Sequence, residues 1–239
     1  MIWSIPHMWN GGEVWILGGG PSVPKQFDIP DSVIADVVQG RSTPAAYSPY
    51  MSAIHNKHVI GINVAYTIGD WIDIVFFGDE GFYKNHKQGL AKFPGLRVSC
   101  HPLAEKTNWI KYTPRAFRHN HGLTKRGSEV CWNGNSGAAA INLAVHLGAK
   151  RIILLGFDMH LDPSAMMHWH DLYGRGKYTK PTPGRRGPRD HEGLPFEKHL
   201  RGFAQISEDA KHFGVEVINA CPDSAITQFR KTTVKELLS

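Results

Sequence analysis

Cysteine is scarce in this chain: Cys100, Cys131 and Cys221 are odd in number, far apart and never at metal-ligand spacing. That excludes a disulfide framework and a thiolate zinc cluster, and reads as a reduced, cytoplasmic protein. No run of eighteen apolar residues occurs, so no membrane span is expected. The opening Met1-Ile2-Trp3-Ser4-Ile5-Pro6-His7 has neither the basic region nor the apolar region of a signal peptide. Two nucleotide signatures are missing as well. Gly18-Gly19-Gly20-Pro21-Ser22 lacks the third glycine of the dinucleotide fingerprint, and no confident helix is read directly after it. No Gly-Lys-Ser/Thr follows a glycine loop either, which excludes a Walker A site and, with the first absence, disfavours hydride transfer. No internal repeat or low-complexity segment is evident.

What remains is a chain of 239 residues, 41% hydrophobic and 20% charged. That suits one domain, 1–239, with a real core. The formal charge of +6 favours an anionic partner: a nucleotide, a phosphorylated substrate or nucleic acid. The excess is concentrated in a loop over 174–202, with Arg175, Lys177, Lys180, Arg185, Arg186, Arg189, Lys198 and Arg201. Such a segment closes over an anionic ligand or contacts nucleic acid, with Tyr173 and Tyr178 as stacking faces, or is simply a solvated insert.

Short apolar runs recur at Val14–Leu17, Val59–Asn63, Ile72–Phe77, Leu96–Cys100, Arg151–Asp158 and Val215–Asn219. Near-continuous runs of this length fit strands of a parallel sheet covered on both faces. Residues 21–56 read as loop with one short helix near 32–38, and residues 101–133 as irregular. A helix is predicted from Gly137 to about Leu147, with Ser136 as N-cap and Gly148 as stop. Residues 159–195, rich in proline and glycine, read as a lid or binding insert. Further helices are expected over 196–213 and near 227–238. The expected fold is α/β, a Rossmann-like parallel sheet with helices on both faces and a long basic insert.

The candidate chemistry sits at strand ends. The cluster Gly18 to Ser22 follows an apolar strand, where bare backbone can approach a ligand and free N–H groups can cradle phosphate. Asn63 ends a strand and could bond a ribose or base edge, or cap a turn. Asp79 and Asp158 end two more strands, where carboxylates take ribose hydroxyls or hold hydrated Mg²⁺. Ser136 and Gly137 open a helix whose positive end attracts phosphate. His160, His168 and His170 cluster after Asp158 and, with it, suggest a metal site, or face solvent. His199 stands early in the helix after the basic loop, as a general base or a structural histidine.

Taken in order, these motifs resemble a Rossmann-type group. It includes bacterial lipooligosaccharide sialyltransferases, archaeal hydroxymethylpterin diphosphokinases and motility accessory factors of flagellin glycosylation. The matching elements, over about residues 13–230, are the Gly18–Ser22 turn, Asn63, Gly78-Asp79, Ser136-Gly137, Leu147-Gly148, Gly156-Phe157-Asp158 and Cys221-Pro222-Asp223-Ser224. The resemblance implies that Gly18–Ser22, Asn63 and Ser136 hold a nucleotide or nucleotide-sugar and that His199 is the base. Gly19 replaces the sialyltransferases' turn asparagine, and His160 and about Met166 replace their phosphate-holding tyrosines. Asp79, and Asp158 followed by His168 or His170, follow the diphosphokinase and motility-factor pattern. Chains of this kind also resemble accessory proteins of tailed bacteriophages. The expectation is therefore a nucleotide-dependent, glycosyltransferase-like enzyme. The alternatives are a Mg²⁺-dependent diphosphokinase and a non-catalytic phage- or host-associated protein binding nucleotide or nucleic acid.

Overall fold

The computed structural model describes residues 1–117, 121–170, 172 and 194–239. The chain forms one eight-stranded sheet in which every pairing is parallel. Its strands are β1 (Glu13–Leu17), β2 (His58–Ile62), β3 (Ile74–Phe77), β4 (Leu96–Ser99), β5 (Lys111–Tyr112), β6 (Arg151–Leu155), β7 (Glu216–Asn219) and β8 (Arg230–Lys231). The helices are α1 (Ser22–Gln26), α2 (Asp31–Val38), α3 (Glu80–Lys92), α4 (Ser136–His146), α5 (Phe196–Leu200), α6 (Phe203–His212) and α7 (Val234–Leu238). Among the described residues no helix is long and apolar enough to cross a membrane. The basic segment 173–193 lies outside the described residues, and with it most of the proposed lid.

The spatial order β5-β4-β3-β2-β1-β6-β7-β8 reverses direction between β1 and β6. At such a switch point the connections leave the two neighbouring strands toward opposite sides, and a crevice opens beyond their carboxyl ends. Both strands are apolar on both sides because both sheet faces are covered. One face carries α4 and α6, packed on Val14, Ile16, Ile60 and Ile152. The other carries α1, α2, α3 and α7, packed on Trp15, Leu17, Val75 and Leu155. This is the Rossmann-like α/β architecture anticipated above.

Buried Ala138, Ala139, Ala140 and Ala144 keep α4 thin enough to lie close to the sheet. It stops where Gly148, at φ +100°, takes a conformation that side chains resist. Asn142, buried on this helix, accepts from the amides of Thr124 and Cys131, each at 3.0 Å. It thereby pins the irregular 122–131 segment to the core.

Several expectations need correction. A five-residue helix, α1, does follow the glycine turn at once. The N-cap of α4 is Asn135, whose side chain accepts from the Ala138 amide at 2.8 Å; Ser136 is the first helical residue. The helix expected over 196–213 is two helices. It breaks at Gly202, where a Cβ would sit 2.6 Å from that of Asn133. The last helix begins at Val234 rather than 227, after the short strand β8. Helix α3 was not foreseen at all, because Gly81 and Gly89 interrupt it and only Phe82, Tyr83 and Leu90 are buried.

Candidate functional site

The glycine turn is shaped by what its own chain packs against it. A Cβ on Gly18 would stand 2.8 Å from the Gly156 carbonyl, and one on Gly19 would stand 2.9 Å from His168 Nδ1. A Cβ on Gly20 would overlap Asp158 Oδ2 and lie 2.6 Å from the Gly156 carbonyl. The Asp158 carboxylate fills the turn from behind. It accepts from the Ser22 amide at 3.0 Å and from the Ser22 hydroxyl at 2.9 Å. It is thus the anion at the start of α1. Burial pushes the Asp158 carboxyl up, and the two Ser22 bonds oppose that shift.

The Cys-Pro-x-Ser turn is the support beneath. The Ser224 hydroxyl donates to the Phe157 carbonyl at 2.6 Å, and the Ala225 amide to the Asp158 carbonyl at 2.8 Å. Cys221 stands beside Asp158 and Ser22, its thiol pushed up to about 12, mainly by burial.

Over the top of the turn runs the segment 168–170. The Trp169 indole donates to the Gly18 carbonyl at 2.9 Å, and its amide to the Gly19 carbonyl at 3.1 Å. Tyr47 in turn donates to the Trp169 carbonyl at 3.1 Å. His168 Nδ1 lies 3.2 Å from the Gly19 carbonyl, so that nitrogen carries the proton. The ring of His170 stacks on His168 with centroids 5.2 Å apart. Burial pushes His168 down to about 4 and His170 well below the ordinary histidine range.

Phe157 joins the turn to α4. Its ring would lie 3.3 Å from a Cβ on Gly18 and 2.9 Å from one on Gly137. The glycine turn and the start of α4 therefore meet on opposite sides of one buried ring. Among the described residues no acceptor bonds the amides of Gly19, Ser136 or Gly137. Ser136 Oγ and Asn63 Oδ1 are buried without a partner among the described residues. Asn63 leaves β2, the neighbour of β1, in the left-handed region at φ 51°.

His199 belongs to α5, which sits over the start of α4. The Asn135 side-chain amide donates to the His199 carbonyl at 3.3 Å, and a Cβ on Gly134 would lie 3.1 Å from the Lys198 carbonyl. Burial, with lesser contributions from Lys198 and His168, pushes His199 down to about 4. Its imidazole is neutral near pH 7 and within electrostatic reach of the ring seated on Gly19.

The structure thus gathers Gly18–Ser22, Ser136, Gly137, Asp158, His168, His170 and His199 around the carboxyl ends of β1 and β6, with Asn63 on the adjoining strand end. Asp79 stands apart, exposed at the end of β3. His160 is held by backbone, with Nδ1 2.7 Å from the Leu161 carbonyl and Nε2 3.0 Å from that of Asp223. Among the described residues no three histidine, cysteine or acidic side chains form a group able to hold a metal ion. The donors Asp79, Asp158, His160, His168 and His170 do not fit a shared ion. Two surface hollows, near Lys87 and Trp109 and near Ser48 and Thr67, lie away from the glycine turn.

Sequence reasoning missed Phe157, Asn135 and Trp169 as site residues. Trp169 did carry a signal: a tryptophan between two histidines, inside a segment otherwise rich in proline and glycine.

No protein-family model matches the chain, and no curated protein matches it. Solved structures do. A structure of MAf glycosyltransferase from Magnetospirillum magneticum AMB-1 superposes with a TM-score of 0.58 at 12% identity, over 97% of this chain. The chain spans 35% of the length of that protein. The sialyltransferase CstII from Campylobacter jejuni, in complex with the substrate analogue CMP-3FNeuAc, gives a TM-score of 0.47 at 15% identity, over 92% of this chain and 86% of CstII. At such identities the likeness to the MAf enzyme is one of fold.

Proposed function

We propose that this chain is a glycosyltransferase-like enzyme that moves a sugar from a nucleotide donor to a hydroxyl acceptor. The observation that carries the reading is the meeting of two amide-bearing ends on Phe157. The Gly19 amide on one side, and those of Ser136 and Gly137 on the other, have no protein acceptor among the described residues. They sit at a switch point, where an α/β sheet accepts ligands. The start of an eleven-residue helix favours a phosphate there. The MAf glycosyltransferase shares the fold, and the reaction class is carried over from it as part of this proposal.

In this reading the donor's phosphates lie against the Gly19, Ser136 and Gly137 amides, with Asn63 toward the nucleoside. The acceptor oxygen forms a bond to the anomeric carbon as the bond to the phosphate oxygen breaks. The nucleotide leaves with that electron pair, and the acceptor's proton passes to His199. A neutral imidazole can take it, and the charge of a bound donor raises its basicity. Asp158 holds the turn in shape from behind.

The test is a thermal-shift and calorimetric screen of CMP, UDP, GDP and ATP and their sugar conjugates, with and without Mg²⁺. Saturable stabilisation by at least one of them is expected. His199→Ala should then lower turnover about 10²- to 10⁴-fold while leaving nucleotide affinity within about twofold. Absence of any nucleotide binding, or equal losses of affinity and turnover, would overturn the reading.

A further inference from the structure

The far side of the same sheet edge holds a cation that nothing at the β1 and β6 ends uses. Arg115 is fixed from three directions. Its backbone is bridged to Val130, with Ala116 donating to the Val130 carbonyl at 2.9 Å. Its guanidinium lies 3.7 Å above the Trp132 ring. Its Nη2 donates to the Gly78 carbonyl at 2.6 Å, at the end of β3. Gly78 permits this because a Cβ there would overlap the Trp132 ring.

A guanidinium has five N–H donors; one is given to the Gly78 carbonyl and another faces the Cys100 sulfur, which leaves the rest for an anion. The side chain is nevertheless exposed, and among the described residues Arg115 joins no ion pair. Stacking and the Gly78 bond have already removed most of its rotational freedom, so little entropy remains to be lost when an anion binds.

The neighbours narrow the ligand. Helix α3, thirteen residues long, starts beside Gly78 with no side-chain cap, and a Cβ on Gly81 would meet open space. Two acids stand near. Glu80 is paired with Lys84 at 2.9 Å, whereas Asp79 is exposed. Asp79 and Arg115 are both close enough to act on the buried Cys100 thiol. A planar cation, an uncapped helix start and a carboxylate with no ion pair among the described residues together suit a molecule that carries an anionic group and hydroxyl donors. An acidic saccharide has both. The ends of β1 and β3 are two strand spacings apart, roughly 10 Å, about the reach from a donor's phosphates to the far side of the sugar attached to them.

We propose that Arg115, stacked on Trp132 and anchored to Gly78, is a specificity-determining residue that binds the carboxylate or phosphate of an acidic saccharide substrate, while Asp79 accepts its hydroxyls. The inference rests on the transferase reading for the identity of the ligand as a substrate.

The experiment titrates the full chain with free glucuronate, glucose and inorganic phosphate, followed by calorimetry and by the indole N–H resonance of Trp132. Saturable glucuronate binding that shifts this resonance is expected, with glucose at least tenfold weaker. Arg115→Gln should weaken glucuronate at least tenfold. Phosphate binding with the same Arg115 dependence, and none by glucuronate, supports the site and assigns the anion as phosphate. If Arg115→Gln does not fold, Arg115→Lys keeps cation and stem but loses the fork, and a threefold or greater loss is expected. Binding of neither anion overturns the inference, as does affinity unchanged in the variant. Nucleotide binding is measured on the same samples. Glucuronate binding without nucleotide binding sinks the transferase reading and spares the Arg115 site, and the reverse result does the opposite.

Discussion

The two halves of the sheet's carboxyl edge are built in opposite ways. At β1 and β6 the polar groups are turned inward. Asp158 fills the turn and caps Ser22, and Trp169 and His168 take the carbonyls of Gly18 and Gly19. At β3 the groups are turned outward: α3 has no side-chain cap, Gly81 faces open space and Arg115 is exposed. The glycines of the first half therefore answer to this chain's own side chains. Close approach by a ligand is not needed to account for them. What makes that half receptive is the small set of amides those contacts leave unbonded.

The sharpest way to break the comparison is to add one methyl group to each half. Gly20→Ala drives a Cβ into Asp158 and the Gly156 carbonyl, and should cost about 3 kcal/mol or more. Gly81→Ala meets nothing, and in the first turn of a helix it should gain about 0.5–1 kcal/mol. Urea unfolding of both variants reads the difference. Similar small effects would mean that Asp158 does not occupy the turn.

Asp158→Ala comes next. It leaves the Ser22 amide and hydroxyl without their acceptor in a partly buried setting, at about 1–3 kcal/mol. Asp158→Asn retains an acceptor oxygen and should cost less than half of that. A larger loss for the asparagine variant would point to the charge, rather than the bonds, as what holds the turn.

The covered half should also be the acid-sensitive one. His168 and His199 are each pushed down to about 4 by burial, from an ordinary value of 6.5. Between those values the unfolded chain binds protons that the folded chain does not, so stability falls as pH drops from about 6.5 through about 4. Allowing for partial exposure, each ring contributes roughly 1–2 kcal/mol to this loss. Denaturation midpoints measured from pH 7 to pH 4, for the wild type and for His168→Gln, test it. The variant's profile should be flatter, and a superimposable one would remove His168 as a cause.

Six strands of the sheet were legible in the sequence because a strand covered on both sides is apolar on both sides, and Val14–Leu17 and Ile152–Leu155 say so directly; β5, inside the 101–133 stretch that reads as irregular, and β8 are two residues each and carry no such run. Helix α3 was not, since its stability comes from Phe82, Tyr83 and Leu90 finding the sheet rather than from any local pattern. Within the site, the residue types at a strand end pointed to Gly18–Ser22, and those at a helix start to Ser136. Their partners could not be read. Nothing in one dimension says that Asp158 reaches Ser22 across 136 positions, or that Phe157 touches both Gly18 and Gly137. Asn135 shows the same limit on a smaller scale. Asparagine and serine are comparable N-caps, and the choice between Asn135 and Ser136 turns on one residue of register.

That register gives the smallest effect and the finest distinction. Because Asn135 does the capping, the Ser136 hydroxyl is left buried with no partner among the described residues. An ordinary N-cap serine changed to alanine costs about 1 kcal/mol. Here Ser136→Ala removes a buried, unsatisfied hydroxyl, so stability should stay within about 0.5 kcal/mol or rise slightly. Asn135→Ala, by contrast, should cost the full capping energy. If the hydroxyl is reserved for the donor's phosphate, Ser136→Ala should weaken nucleotide binding about threefold to tenfold, the worth of one such bond. A loss of stability without a loss of affinity would return Ser136 to the ranks of structural residues and leave the amides to hold the phosphate alone.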